Sequence, residues 1–199
     1  MITQIIAYSE PFQKFQQWFN EAKNDQRIIE PTAMNLATIS QNLCPANRMV
    51  LLKKFDERGF CFFTNLNSRK AQEISANPNV SLCFYWPVLS KQIRIEGVAQ
   101  KVSDAEADEY FASRARQSQI GAWASKQSGV MAEWSEFEER INYYEEMFRD
   151  KEVKRPEFWS GFRVVPKVIE FWSEGKFRIH HRQCYELIGR GWQTKILYP

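Results

Sequence analysis

The sequence is poor in the residues on which several common enzyme classes depend. Glycine occurs only 8 times in 199 residues, and no GxGxxG or GxxxxGK pattern is present, which argues against Rossmann and P-loop nucleotide sites. The two histidines, His180 and His181, are neighbours, which disfavours a two-histidine metal centre and a dispersed Ser/His/Asp triad. We therefore predict no bound metal ion.

Paired cysteines, long apolar runs and a strong charge imbalance are also missing. The four cysteines form no CxxC pair, and no apolar run reaches the length of about 18 residues that a membrane-spanning helix needs. Without a recognisable secretory signal, we expect four buried, reduced thiols in a cytoplasmic protein with no membrane contact. Lys and Arg number 27 against 24 Asp and Glu, a net charge of +3. This balance is too even for a nucleic-acid-binding protein, so a bound anion is expected to be small.

Helical and extended patterns alternate along the chain. Ser9 can cap a first helix, Pro11 fits its first turn, and Phe12, Phe15 and Phe19 recur on one face. Strand patterns follow at 34–39, 48–55, 60–64, 80–86, 91–102, 161–172, 176–188 and 192–197, and helical patterns at 68–76, 103–114, 117–125 and 132–149. Hairpin connections on both sides of a helical insert predict one α+β domain, residues 1–199, whose antiparallel sheet closes into a barrel with flanking helices.

Three local signals refine these predictions. The runs 48–55 and 60–64 are expected to pair as a hairpin around a turn that ends at Gly59. Gly97 interrupts a strand and predicts a bulge. Ser103 and Glu106 have the spacing of a capping box, which begins the third predicted helix.

A cluster of cationic and ionisable residues lies near the C-terminus. If residues 176–188 form one strand, then Arg178, His180 and Arg182 share one face. This row is either a solvated outer face or a surface that binds an anion, with His180 able to transfer a proton near neutral pH. Periodicity alone leaves both interpretations open.

A second cluster follows the capping box. Tyr110 and Arg114 lie one helical turn apart, and Ser118 follows just past the predicted end of the helix. Together with a lysine these residue types suit a phosphate monoester, and an exposed helix face is the alternative. Further anion-binding candidates are Arg48 and Lys53 on one predicted strand, and Arg69 and Lys70 at the start of a helix.

Five separated segments carry a resemblance to a known family. They are RMVLLK at 48–53, FTNLNSRK at 63–70, SQIGAWASKQS at 118–128, FWSGFR at 158–163 and RIHHR at 178–182. Together they closely resemble pyridoxine (pyridoxamine) 5′-phosphate oxidase, in a match that spans residues 31–199 behind a helical region at 1–30. The resemblance implies a homodimeric FMN-binding split barrel, with the flavin in a groove between the two subunits.

The resemblance also implies roles for individual residues. FMN would be bound by Arg48, Met49, Val50, Leu51, Leu52, Lys53, Phe63, Thr64, Arg69, Lys70, Gln92, Gln127, Ser128, Trp172 and Arg182, and the family takes Gln127, Ser128, Trp172 and Arg182 from the partner subunit. The substrate would be bound by Lys53, Tyr110, Arg114, Ser118, Arg178, Ile179 and His180, with Arg178 and His180 as the catalytic pair over the substrate ring. The implied reaction oxidises pyridoxine or pyridoxamine 5′-phosphate to pyridoxal 5′-phosphate by hydride transfer from C4′ to flavin N5, and dioxygen becomes hydrogen peroxide.

The sequence departs from the family pattern in two places. About eight residues precede the first predicted helix, too few for the family's basic N-terminal arm, and residues 40–47 lack a His-Gly pair common in the family. Weaker closure over the substrate or a changed substrate is the expected consequence. Two other functions stay open: a related flavin oxidase acting on another reduced ring, as in phenazine-type biosynthesis, and a non-catalytic flavin or pyridoxal-phosphate carrier. A substrate without a phosphate would leave the four phosphate-binding residues unpaired, which argues against the phenazine-type oxidase.

Overall fold

The computed structural model describes residues 5–199, and side chains from residue 7 onward. Residues 1–4 of the predicted N-terminal region lie outside the described residues. The helices are α1 Glu10–Asn24, α2 Arg69–Ala76, α3 Asp104–Ala112, α4 Arg116–Ala124 and α5 Trp134–Met147. The strands are β1 Ile5–Ile6, β2 Ala33–Ile39, β3 Pro45–Leu51, β4 Lys54–Asp56, β5 Gly59–Asn65, β6 Asn79–Trp86, β7 Lys91–Lys101, β8 Trp159–Ser173, β9 His181–Ile188 and β10 Gly191–Leu197.

The strands form one curled antiparallel sheet with the helices around it. Its main path runs β1-β10-β9-β8-β7-β6-β2-β3, and the hairpin β4-β5 joins through pairing of β5 with β8. The long strand β8 therefore has β7 and β9 as partners, and β5 pairs with its first half. This arrangement agrees with the predicted α+β class and with the split antiparallel barrel that the resemblance implies.

Helix α1 packs on the inner face of the sheet through its phenylalanines. Phe12, Phe15 and Phe19 are buried, as their spacing predicts. The ring of Phe15 lies 4.8 Å from that of Phe60 and 5.3 Å from that of Phe84. Burying each such ring contributes roughly 1.5–3 kcal/mol. The predicted cap is wrong in its detail, because the hydroxyl of Ser9 accepts no hydrogen bond from the helix backbone.

The predicted strand 48–55 is two strands with different partners. Strand β3 pairs with β2, whereas β4 pairs with β5, so only the second half belongs to the predicted hairpin. The break falls at Leu52, whose side chain is buried in the core and whose N–H donates to the carbonyl of Thr32 at 2.9 Å. Lys53 therefore leaves the line of β3, and Arg48 and Lys53 do not share a strand as predicted.

The predicted strand 176–188 is also wrong in its first five residues. Residues Lys176–Arg178 form a single 3₁₀ turn, and strand β9 begins only at His181. Phe177 and Arg178 both have positive φ, at 57° and 66°. The chain then folds back onto Gly175, where a Cβ would meet the carbonyl oxygen of Ile179 at 1.8 Å. The alternation that would place Arg178 on one face with Arg182 does not exist.

Other local predictions are confirmed or corrected. The register between β7 and β8 shifts between Glu96 and Gly97, which confirms the bulge, and the capping box at the start of α3 is present. Cys61 and Cys184 are buried, but Cys44 is exposed and Cys83 is half-buried, so the expectation of four buried thiols is wrong. Among residues 5–199 no helix is both long and apolar enough to cross a membrane.

Candidate active site

A cavity of about 700 Å³ opens between the edge of the sheet and the helical insert. This size is typical of sites that bind a small molecule or a cofactor. It brings together most of the residues predicted from the first and second resembling segments with those of the phosphate-binding cluster. The predicted residues in its wall are Met49, Val50, Leu51, Lys53, Phe63, Thr64, Lys70, Tyr110, Arg114, Ser118 and Gln127.

Strand β3 forms one wall of the cavity with a free edge. It lies at the end of the sheet path and pairs only with β2 among the described strands. An edge strand leaves a row of backbone N–H and C=O groups without ladder partners. Met49, Val50 and Leu51 line the cavity from this edge, whereas Leu52 points into the core and does not.

Lys70 forms one cationic end of the cavity. Its Nζ lies 3.2 Å from Thr64 Oγ1 and 3.1 Å from Gln127 Oε1, and it has no carboxylate partner among the described residues. Burial lowers the pKa of Lys70, and the nearby charge of Arg48 lowers it further. Lys70 is also in the first turn of α2, and this turn contains no acidic residue. A cation together with a helix N-terminus favours a bound phosphate.

Two predicted arginines near Lys70 do not line the cavity. Arg48 Nη2 lies 2.9 Å from Glu73 Oε2, and Arg69 Nε lies 2.7 Å from Glu73 Oε1. Glu73 is 6% exposed and also accepts a hydrogen bond from Thr38 Oγ1. Burial would raise the pKa of Glu73, but hydrogen bonds from Thr38, Arg69 and Arg48 outweigh it and lower that pKa. The carboxylate stays ionised and offsets part of the arginine charge.

Tyr110, Arg114 and Ser118 form the second cationic end. Helix α3 ends at Ala112, so Arg114 lies in the short connection to α4, and Ser118 lies in the first turn of α4. The predicted single helix to residue 114 is therefore too long by two residues. The three side chains nevertheless reach the same cavity, and with Lys53 they form the set we call the phosphate clamp.

Arg114 is held by aromatic rings. Its guanidinium carbon lies 4.8 Å from the ring centroid of Trp159 and 5.6 Å from that of Phe111. Its Nη1 is buried and has no hydrogen-bond partner. Burial lowers the pKa of Arg114, although an arginine stays protonated at neutral pH. An unpaired buried guanidinium N–H is a site that an anionic ligand oxygen would satisfy.

Three predicted flavin residues form a row on a different part of the sheet. Gln92 on β7 lies opposite Trp172 on β8, which lies opposite Arg182 on β9. Residues directly opposite in antiparallel strands project to the same face. Arg182 Nε donates to Glu170 Oε1 at 2.7 Å, and this contact raises the pKa of Arg182. The row does not line the main cavity of its own chain.

The predicted catalytic pair also lies outside this cavity. Arg178 and Ile179 are exposed, and His180 packs against Trp172 with ring centroids 4.7 Å apart. The N–H of Gly175 donates to His180 Nδ1 at 3.3 Å, so a neutral imidazole carries its proton on Nε2. His180 and Arg182 line a smaller pocket of about 200 Å³.

Gln127 and Ser128 lie together in the loop after α4. Gln127 lines the main cavity of its own chain and accepts hydrogen bonds there from Thr64 Oγ1, at 2.9 Å, and from Lys70. The resemblance assigns this residue to the partner subunit. Ser128 has a φ of 71° and lines a neighbouring pocket of about 410 Å³, together with Arg69.

Sequence reasoning missed Glu73 and Trp159. Glu73 sits four residues after Arg69, the spacing of a helical ion pair, so its contact with that arginine could have been found. Its contact with Arg48 spans 25 positions and depends on the tertiary fold. Trp159 lies within the resembling segment 158–163, but none of the predicted site roles falls on it.

Two family models match the chain. One, described as pyridoxamine 5′-phosphate oxidase, matches residues 21–148. The other, described as pyridoxine 5′-phosphate oxidase C-terminal dimerisation region, matches residues 159–199. The second match supports a homodimer built through strands β8 to β10.

Curated relatives match over nearly the whole chain. The pyridoxine/pyridoxamine 5′-phosphate oxidase of Myxococcus xanthus (strain DK1622) is 48% identical over 200 residues, which cover 100% of this chain and 96% of the relative. The enzyme of the same name from Wolbachia pipientis wMel is 46% identical over 191 residues, which cover 96% of this chain and 88% of the relative.

Solved structures confirm the class of fold. PhzG from Burkholderia lata 383, in complex with tetrahydrophenazine-1-carboxylic acid, has a TM-score of 0.90 at 27% identity over 99% of both chains. A pyridoxamine 5′-phosphate oxidase-related, FMN-binding protein from Nostoc punctiforme PCC 73102 has a TM-score of 0.76 at 16% identity, over 94% of this chain and 96% of that one. The chain is thus a split-barrel protein, as predicted. Its family models and relatives place it more closely: it belongs to the pyridoxine/pyridoxamine 5′-phosphate oxidase family.

Proposed function

We propose that this protein is an FMN-dependent oxidase that converts pyridoxine 5′-phosphate or pyridoxamine 5′-phosphate to pyridoxal 5′-phosphate. The observation that carries the proposal is the presence of two cations with separate partners in the wall of one cavity: Lys70 beside Thr64 and Gln127, and Arg114 against Trp159 and Phe111. Two phosphate-bearing molecules would account for both. Relatives named for this activity support the choice of substrate.

The residues at the Lys70 end fit the phosphate and ring of FMN. Lys70 and the first turn of α2 would bind the phosphate, while the free edge of β3 from Met49 to Leu51 would lie along the ring. FMN, when bound, accepts a hydride from the substrate carbon and passes the electrons to dioxygen, which leaves as hydrogen peroxide. Thr64 and Gln127 would position the Lys70 ammonium for its phosphate contact.

The phosphate clamp would bind the substrate. Each charge-assisted hydrogen bond from Arg114 or Lys53 to a phosphate oxygen contributes about 1.5–3 kcal/mol. Tyr110 stacks on Phe63 at 4.1 Å between ring centroids, which fixes the direction of its hydroxyl. The substrate would thus be oriented by its phosphate, with its oxidised carbon toward the flavin.

Arg178 and His180 would act on the cavity of the second subunit. Neither lines the cavity of its own chain, and both precede strand β9 in the region matched to a dimerisation segment. Trp172 and Arg182, which the resemblance assigns to the partner subunit, would complete the flavin site of the partner in the same way. His180, with its proton on Nε2, would hydrogen-bond the substrate hydroxyl or amine at C4′.

The activity is tested with purified protein loaded with FMN. Addition of pyridoxine 5′-phosphate or pyridoxamine 5′-phosphate under air should release hydrogen peroxide and form pyridoxal 5′-phosphate in equal amounts. The amine substrate should also release one equivalent of ammonia, because water hydrolyses the imine that its oxidation forms. Unphosphorylated pyridoxine is the matched control and should react far less efficiently. A protein that binds FMN and both phosphates but releases no peroxide would be a carrier, and the proposal would be wrong.

The roles of the catalytic pair are tested separately. Arg178→Ala and His180→Ala should leave a folded, yellow dimer whose turnover is reduced by about 100-fold, because each residue contacts only the substrate. Loss of flavin from either variant would contradict the assignment.

A phenazine-type oxidase is the second candidate, because the structure of PhzG superimposes over 99% of this chain. The phosphate clamp distinguishes the phenazine-type reaction from the oxidation of a vitamer phosphate. A tetrahydrophenazine carboxylic acid has no phosphate, so it would make fewer contacts with Lys53, Tyr110, Arg114 and Ser118. Measuring kcat/KM for both substrate types on one preparation decides between them, and higher efficiency with the tricyclic acid would favour the phenazine-type reaction.

A further inference from the structure

Trp159 lies at the start of β8, directly against the guanidinium of Arg114. The indole is 6% exposed, and its centroid lies 4.8 Å from Arg114 Cζ. It is nearly parallel to the rings of Phe63 and Tyr110, at interplanar angles of 10° and 12°. An indole offers the strongest cation–π face among the side chains.

We propose that Trp159 is a positioning residue that makes the cavity selective for phosphorylated substrates by holding Arg114 through its ring face. The inference rests on the function proposed above and extends it to a residue beyond the clamp. It predicts that Trp159 acts on the phosphate of the substrate and not on the ring that is oxidised.

The physical basis is the difference between a ring and a carboxylate as the support for an arginine. A carboxylate accepts N–H hydrogen bonds and cancels the charge, as Asp56 and Glu106 do for the buried Arg163. Arg114 has no carboxylate partner among the described residues, and its Nη1 is buried and unpaired. The indole fixes the guanidinium plane while leaving its charge and its N–H groups for a ligand.

Trp159 is itself fixed to the helix that carries the other half of the clamp. Arg155 Nη1 donates to the carbonyl of Trp159 at 2.8 Å. The same guanidinium pairs with Asp104 and Asp108 of α3, at 3.1 Å and 2.5 Å. Helix α3 also carries Tyr110, so Arg155 joins the start of β8 to the helix and sets the spacing between Trp159 and the clamp.

The test compares Trp159→Leu, which removes the ring, with Trp159→Phe, which keeps a smaller one. With FMN-loaded protein, Trp159→Leu should raise the KM for pyridoxine 5′-phosphate about tenfold, and Trp159→Phe should raise it less. The kcat should change by about twofold or less, because the proposed role of Trp159 is confined to binding of the phosphate through Arg114. The kcat/KM for unphosphorylated pyridoxine should fall much less than the kcat/KM for pyridoxine 5′-phosphate.

Trp86→Phe is the matched control for a purely structural effect. Trp86 is 2% exposed in the main core and packs against Phe19 and Phe84, away from the cavity. This variant should lose stability with no change in KM. In a double-mutant cycle, Trp159→Leu should add nothing to the KM of Arg114→Ala, because the indole acts through that arginine.

A binding measurement keeps this inference separate from the proposed function. The affinity for pyridoxal 5′-phosphate, followed by its absorbance without turnover, should fall by the same factor in Trp159→Leu. Equal effects on phosphorylated and unphosphorylated substrates, unchanged affinity in both Trp159 variants, or additivity with Arg114→Ala would each overturn the inference. If the wild type oxidises neither vitamer phosphate, the proposed function is wrong, and the binding comparison still decides the role of Trp159.

Discussion

Arg48 and Arg69, beside the Lys70 end of the cavity, are held by the buried carboxylate of Glu73, whereas Arg114 at the other end is held by the indole of Trp159. The first pair is already neutralised in part, and neither arginine lines this cavity. Arg114 lines the cavity and keeps an unpaired buried N–H. The carboxylate of Glu73 already occupies donors of Arg48 and Arg69, whereas the ring of Trp159 leaves the donors of Arg114 available to a ligand.

The largest expected effect is on stability at the carboxylate-supported site. Glu73→Leu should lower the free energy of unfolding of the apoprotein by about 3–5 kcal/mol, because it leaves Arg48 partly buried without its counter-ion. Urea denaturation measures this. Glu109→Leu is the control, since Glu109 pairs with Lys54 at an exposed site and should cost less than about 1 kcal/mol. Equal losses in the two variants would contradict the account.

Removal of the ring-supported arginine should affect binding and spare the fold. Arg114→Ala should raise the KM for pyridoxine 5′-phosphate by the equivalent of about 1.5–3 kcal/mol, with a much smaller effect on unfolding than Glu73→Leu. Steady-state kinetics and urea denaturation of one preparation give both values. Arg58→Ala, at an exposed ion pair, should change neither the KM nor the free energy of unfolding substantially. An unchanged KM in Arg114→Ala would remove this residue from the clamp.

Acid should weaken the ion pairs of Glu73 but not the contact between Arg114 and Trp159. The folded-state pKa of Glu73 lies below its ordinary value of 4.5, so the stabilisation it provides is complete above that pH and is lost as the pH falls through the lowered pKa. The stability difference between wild type and Glu73→Gln should therefore shrink below about pH 4.5. Arg114→Ala should follow the wild-type pH profile. A stability difference between wild type and Glu73→Gln that stays constant down to pH 2 would contradict the ion pairs assigned to Glu73.

The smallest expected effect is on FMN affinity in alkali. Burial lowers the pKa of Lys70 from 10.5, so as the pH rises the ammonium loses its proton earlier than an ordinary lysine and attracts the flavin phosphate less. Quenching of FMN fluorescence should show affinity falling at a pH below 10.5. Lys70→Arg should remove this fall, because a guanidinium stays charged there. An identical alkaline profile in both proteins would exclude Lys70 from the phosphate contact.

Much of this arrangement could be predicted from local patterns. The phenylalanine spacing of α1, the capping box of α3 and the bulge at Gly97 each follow from contacts within a few residues. Tyr110 and Arg114 lie close together because the chain continues to turn after α3. These predictions succeeded because short-range geometry determines them.

Other features depend on contacts between distant segments. Leu52 reads as the middle of a strand, but burial of its side chain in the core breaks the strand and changes the pairing of the residues around it. The turn at residues 176–178 interrupts an apparent alternation through two positive φ angles at non-glycine residues, which no propensity predicts. The row of Gln92, Trp172 and Arg182 depends on sheet register across 90 positions of sequence.

Mixing FMN-loaded protein with pyridoxine 5′-phosphate in the absence of oxygen tests whether one cavity binds FMN and a phosphorylated substrate together. The yellow absorbance of the bound flavin should bleach with one equivalent of substrate per flavin, and Arg114→Ala should need a higher substrate concentration for the same bleaching. Persistence of the yellow colour at saturating substrate, or a protein that takes up no FMN, would contradict this joint binding.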